Sequence, residues 1–221
     1  MPLFLSWPFV VAALAGQWSP ILTAAILLPP LGWVLAAKPN IGLAILAATS
    51  SRRLVRNALL GGILITAVSV AFFPAWPREW LSSIASQHHI GAPITRLGGV
   101  AVLLALLRWR RPEARLIVAL ACVPQTNNWY EGLPLLLVAS TFRETLLLSL
   151  ISTLGYVLPP YVMTARNEGE FNAQVGALMV ALCYLPATLM VLRRPNEGEL
   201  PAWSTSISKW LGISRGAPAD A

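Results

Sequence analysis

The stretch Pro124-Gln125-Thr126-Asn127-Asn128-Trp129-Tyr130-Glu131-Gly132 stands between two apolar runs, Ala114–Val123 and Leu133–Ala139. Two greasy segments joined by a knot of amide, aromatic and carboxylate side chains read as membrane-embedded helices with a loop between them. Polar groups are tolerated at such depth mainly where they face a cavity, a partner or water. This loop is therefore the first place to look for the rim of a site.

Composition extends that reading to the whole chain. Of its 221 residues, 56% are hydrophobic and 11% charged, and the mean hydropathy is +0.65. A soluble domain usually carries about 25% charged residues, so the expected class is an all-α, polytopic membrane protein. The net charge of +7 does not point to nucleic acid. The basic residues form short groups between apolar runs: Arg52, Arg53 and Arg56; Arg108, Arg110, Arg111 and Arg115; Arg193 and Arg194. That is the pattern of cytoplasmic loops under the positive-inside rule, and there is no polar domain to present a nucleic-acid face. Cys122 and Cys183 lie inside apolar runs, where packing is a simpler role than a disulfide or a metal.

Taken in order, the chain alternates. Leu3–Gly16 is apolar but short for a crossing, and it is read as a first membrane helix rather than a cleaved leader. Ile21–Ala37 is interrupted by Pro29-Pro30, so it is either a kinked span or two half-helices. Ala58–Phe73 runs away from a basic turn, and Pro74–Arg96 carries Trp76, Trp80 and Ile84 suited to a short interfacial helix. Leu97–Leu107, Ala114–Val123, Leu133–Phe142, Thr145–Leu158 and Ala173–Leu192 then alternate in direction. The expectation is a transmembrane helical bundle over 1–194 with about seven to eight membrane segments. A polar cytoplasmic tail follows over 195–221, with a short interfacial helix at Trp203–Leu211. The expected setting is a bacterial-type plasma membrane, crossed several times, with the C-terminus inside.

Several residues can carry chemistry. Glu131 beside a membrane boundary can act as acid or base, or simply hydrogen-bond nearby backbone. Gln125, Asn127 and Asn128 offer amides suited to sugar hydroxyls or phosphate oxygens, while Trp129 and Tyr130 offer faces for a sugar ring. The alternative is a capped loop with an aromatic anchor. Lys38, the only lysine before Lys209, precedes a proline that opens a helix. An ammonium is poorly placed there for the helix dipole, so a phosphate partner or snorkelling to headgroups would account for it. His88 can face substrate from an outside loop; His88-His89 has no third ligand at helical spacing, and no metal or other cofactor is expected. Glu79 beside Arg78 reads as a surface pair, and Arg143-Glu144 as a hairpin turn. The chain has no Gly-rich phosphate loop, nucleophile elbow or HExxH helix.

The order Gly16-Gln17, an apolar stretch, Lys38-Pro39, the basic turn Arg52-Arg53, a Pro-Trp-rich segment, an Arg-rich turn and the Pro124–Leu135 loop resembles a known arrangement. It is similar to the C-terminal half of the family 87 glycosyltransferases. These belong to the membrane-embedded GT-C class, which includes polyprenyl-phosphate-mannose-dependent mannosyltransferases. The resemblance covers roughly residues 9–140. It implies inverting transfer of a hexose, mannose foremost, from a polyprenyl-phosphate carrier to a non-cytoplasmic acceptor. It would place Lys38 against the lipid phosphate, match Gln17 to the family's Gly-Gln, and line a donor or acceptor cavity with Gln125 to Glu131. The family's Asp or Glu base in a first outside loop has no counterpart, because no acidic residue precedes Glu79 and the only aspartate is Asp220. That loop is expected from a missing N-terminal part or a partner chain, leaving Glu131 as the carboxylate offered here. The competing expectation is a non-enzymatic membrane scaffold or a transporter subunit. Charges at loops and the absence of a repeat speak against transport.

Overall fold

The computed structural model describes residues 2–86, 91–126 and 129–204. The described residues are helical apart from turns and one isolated antiparallel bridge, Gly91 with Gln125. The α-helices are α1 (Trp7–Leu14), α2 (Ser19–Leu27), α3 (Pro39–Ala48), α4 (Arg52–Phe72), α5 (Trp76–Ser86) and α6 (Pro112–Cys122). They are followed by α7 (Phe142–Val157), α8 (Pro159–Val162), α9 (Glu168–Met179) and α10 (Leu185–Leu192). A π-helical turn, Val180–Tyr184, joins α9 to α10.

Three further segments, Pro29–Ala37, Gly99–Arg108 and Tyr130–Val138, are 3₁₀ helices of nine, ten and nine residues. Such lengths are uncommon, because side chains three apart eclipse one another. Gly99–Arg108 turns that constraint into packing: it buries Gly99, Val102 and Ala105, spaced by three, and leaves its leucines outward. Pro29-Pro30 and Pro134 lack amide donors, which removes part of the α-helical ladder from the other two segments.

The expected seven to eight crossings are not what forms. Among the described residues, two helices are long and apolar enough to cross a membrane, α4 and the continuous Glu168–Leu192. A third is added if α1 and α2, bent by 118° to each other, count as one span. The other apolar runs are cut into elements of 8 to 16 residues or long 3₁₀ turns, about 12–24 Å each against a hydrocarbon core of about 30 Å. Proline is the main cause. Ile21–Ala37 becomes two pieces, α2 and the 3₁₀ segment from Pro29, with a break at Leu28.

The Pro29–Ala37 segment and α4 pack backbone to backbone. A Cβ on Gly61 would stand 2.3 Å from Trp33 Cβ, and one on Gly32 would stand 2.7 Å from the Leu54 carbonyl oxygen. Both positions therefore need glycine for close approach. Beyond Gly61, α4 leaves the bundle: only 11% of its apolar window is buried, and Ile63, Leu64, Val68 and Phe72 point outward. Trp76 and Trp80 of α5 make an edge contact just past its end.

One end of the bundle gathers many of the arginines, and Arg108, Arg115 and Arg194 close helix C-termini there, while Arg96 lies elsewhere, against Gly91 and Gly176. Arg115, itself buried, donates to the carbonyls of Ala48 (3.0 Å), Trp109 (2.9 Å) and Arg110 (2.8 Å) and to Ser50 Oγ (3.0 Å). Arg108 reaches the Arg194 and Leu192 carbonyls at 2.5 and 3.1 Å, and Arg194 reaches the Val138 carbonyl at 2.9 Å. The last carbonyls of a helix have no intrahelical partner and carry partial negative charge, so guanidinium groups satisfy both needs. The segment after α10 is tied to the same end: Arg111 donates to the Pro195 carbonyl (2.7 Å), and Trp203 Nε1 donates to the Ala47 carbonyl (3.1 Å).

Candidate functional site

The other polar concentration forms where the Pro29–Ala37 segment, α3, α6 and the Tyr130–Val138 segment all meet their turns. Lys38 links the 3₁₀ segment to α3, with Pro39 at the first helical position. Its ammonium is paired with Glu131 Oε1 and lies 5.0 Å from the centroid of the Tyr130 ring. The other carboxylate oxygen of Glu131 accepts from the Thr126 amide. The negative partner that a lysine at a helix start calls for is thus Glu131, within the chain. The pair is unevenly covered, the lysine side chain 21% open and the glutamate 3%.

Gln125 sits below this pair and is fully buried. Its Nε2 donates to the Leu120 carbonyl (2.6 Å) and to the hydroxyl of Tyr184 (2.7 Å), and its own amide donates to Gly91 at 3.2 Å. Asn40 Nδ2 donates to the Pro124 carbonyl at 2.8 Å, tying the start of α3 to the loop after α6. Two buried oxygens, Gln125 Oε1 and Thr126 Oγ1, have no partner among the described residues. Unpaired acceptors of this kind are uncommon in a core and mark a place where polar chemistry is unfinished.

Trp129 holds a left-handed backbone (φ 60°), and its ring lies against Gly155 of α7, where a Cβ would stand 1.8 Å from the indole. It is buried, so its face is used for packing rather than presented to a ligand. Gln17 lies in the turn between α1 and α2; its side chain donates to the Ala15 carbonyl at 3.4 Å and its amide to Ala12 at 2.8 Å. Of the residues singled out in the sequence, Lys38, Glu131, Tyr130 and Gln125 are thus brought together, while Trp129 packs behind them. His88, Asn127 and Asn128 lie outside the described residues, and so does most of the tail helix expected at Trp203–Leu211.

Sequence reasoning missed Tyr184, Asn40, Thr126, Gly91 and Gly155. Tyr184 carried the clearest available signal, a hydroxyl in the middle of an apolar run. It closes the π turn Val180–Tyr184, a distortion frequent at functional sites. Cys122 is exposed rather than packed, and no group of His, Cys, Asp and Glu among the described residues suits a metal. A cleft of about 450 Å³ opens elsewhere, at the arginine end, between Ile45, Leu116, Arg111, Glu113 and the Glu197–Glu199 segment. It includes none of the residues of the Lys38 cluster.

No family model, curated protein or solved structure matches this chain.

Proposed function

We propose that the chain is the carrier-binding part of a membrane-embedded hexosyltransferase that uses a polyprenyl-phosphate sugar. The observation that carries the reading is the Lys38–Glu131 pair beneath the Tyr130 ring, a cation and a carboxylate held together at one level of an apolar bundle. In this reading the donor phosphate takes the place of Glu131 on the ammonium, which neutralises the charge left as the sugar C1–O bond breaks. The acceptor hydroxyl oxygen forms the new bond to C1, and its proton passes to a carboxylate. Glu131 is the carboxylate this chain contributes, and the acidic loop of the resembling family comes from a further N-terminal part or a partner chain. Tyr130, buried with the ammonium over its ring, holds the cation in place by its face rather than stacking on the sugar. The short apolar elements are membrane-embedded half-segments beside the spanning helices. The arginine end and the C-terminus face the cytoplasm by the positive-inside rule, as in a bacterial-type plasma membrane.

A second reading is favoured by one detail, that both Glu131 oxygens are already engaged. The pair would then be an internal lock in a non-enzymatic membrane scaffold. Transfer from a radiolabelled polyprenyl-phosphate hexose in vesicles containing the protein separates the two. The transferase reading expects Lys38→Gln and Glu131→Gln to abolish product at normal insertion, and the exchange Lys38→Glu/Glu131→Lys to restore stability without restoring product. Unchanged product in both single variants would remove the transferase reading. Recovery of every phenotype by the exchange would favour the lock.

A further inference from the structure

Three packing contacts measure how far the Lys38 cluster stands from the arginine end. A Cβ on Gly62 would lie 3.9 Å from Ala36 Cβ, just before Lys38, and α4 rises about 15 Å from Arg52 to Gly62. The Trp129 ring lies on Gly155, and α7 rises about 20 Å from Phe142 to that level. Gln125 meets Tyr184, about 12 Å along the helix from Leu192. The whole of α4 is about 31 Å long, close to the thickness of a hydrocarbon core. A membrane that α4 spans therefore has the charged pair near its middle.

The surroundings of the pair fit water better than lipid. Non-helical backbone turns at this level, at Lys38 and at Val123–Thr126, and such backbone is tolerated at membrane depth only inside protein or along a water-filled cavity. Ala37 and Pro39 are exposed, and Lys38 and Asn40 are partly so, so this chain does not itself bury the turn, and the cavity is the alternative it offers. Snorkelling is ruled out by reach: a lysine stem of about 6 Å cannot bridge about 15 Å to either surface. A charge facing hydrocarbon at that depth is costly even on the mildest scale. The upper part of α4 continues past this level, away from the arginines, as an apolar wall.

We propose that the Lys38–Glu131 pair forms the floor of a water-filled vestibule at bilayer mid-depth, open to the face opposite the arginines and admitting a hydrated anionic headgroup. This stands whether or not the chain transfers a sugar, and its test reads no product. In a Cys122→Ala/Cys183→Ala background, Ala37→Cys and Lys38→Cys are exposed to a membrane-impermeant cationic thiosulfonate, added to either side of sealed vesicles. Labelling of Ala37→Cys from the face opposite the arginines, with none from the arginine face, is expected. Ala37→Cys leaves the ion pair intact, so it reports even if Lys38→Cys fails to fold. A nitroxide scan of α4 should give its greatest oxygen-over-nickel accessibility near Leu64. Protection of Ala37→Cys from both faces, labelling from the arginine face, or a depth maximum near Arg53 or Phe72 would overturn the proposal.

Discussion

The arginine end and the Lys38 level are both made of charged side chains on short helices, yet they are assembled on opposite principles. At the arginine end, cations meet backbone carbonyls. Arg108, Arg115 and Arg194 close the ends of α10, α3 and two 3₁₀ segments, and the carboxylates of Glu113 and Glu144 sit among them. At the Lys38 level the ammonium meets one carboxylate, with two buried oxygens nearby left without partners and the Arg96 guanidinium against Gly91. The first arrangement holds helices together through many guanidinium–carbonyl bonds, with one buried oxygen, Glu113 Oε2, left over. The second is sparse and partly open on the lysine side. The contrast teaches that the same charged groups serve two purposes in one bundle, closing backbone ends at one level and pairing with each other at the other.

Removing Arg115 should produce the largest change. Arg115→Ala leaves the Ala48, Trp109 and Arg110 carbonyls and Ser50 without their donor, and about 3 kcal/mol should be lost in denaturant unfolding in detergent. A loss below 1 kcal/mol would mean that water replaces the guanidinium there and would break the contrast.

Next comes the lysine level itself. Glu131→Ala strands the ammonium of Lys38 and should cost about 2 kcal/mol, reduced from the fully buried case because the lysine is partly open. The double variant Lys38→Met/Glu131→Ala should recover most of that loss, since no uncompensated charge remains. Additivity of the two single changes would show that the groups do not interact.

Glycine substitutions test the close packing that sets the two levels relative to each other. Gly61→Ala places a methyl group against Trp33 and should destabilise by about 1–2 kcal/mol, whereas Gly62→Ala, with only Ala36 at 3.9 Å, should be nearly neutral. Equal effects in thermal unfolding would show that α4 does not lie on the Pro29–Ala37 segment as described.

The smallest effect is electrostatic. Burial pushes the Glu144 carboxyl upward, but hydrogen bonds from the Ser140 amide and hydroxyl and the Arg194 guanidinium outweigh it, so the group titrates below its ordinary value of 4.5. A depressed carboxylate contributes stability above its unfolded value and loses it as pH falls through the folded one. Wild type should therefore lose its advantage over Glu144→Gln below about pH 4.5. A difference that stays constant through that range would assign the Glu144 contribution to packing.

Much of the local architecture was legible. Thr141 and Glu144, like Asn167 and Glu170, have the spacing of a capped helix start, a signal that the hairpin-turn reading of Arg143-Glu144 passed over, and both threonine and asparagine caps form. The Trp76–Ser86 helix begins where aromatic residues follow the apolar run. The number of crossings was not legible, because hydropathy counts apolar length and does not register where Pro29, Pro30 and Pro134 turn a span into shorter pieces. The roles of Trp129 and Tyr184 were misplaced or missed for the same kind of reason. An aromatic in a polar loop and a hydroxyl in an apolar run exchange expectations once a neighbour such as Gly155 or Gln125 is supplied.

By itself, the sequence determined a helical, membrane-type chain with basic turns on alternate connections and Lys38 and the Pro124–Gly132 loop as its polar exceptions, because transfer free energy and charge are summed residue by residue. Only the tertiary structure decided that Lys38 pairs with Glu131, that the arginines close helix ends, and that the pair stands about half a membrane's thickness from them. Those outcomes depend on which short elements pack at the same level, and on backbone groups that must find partners wherever the chain brings them.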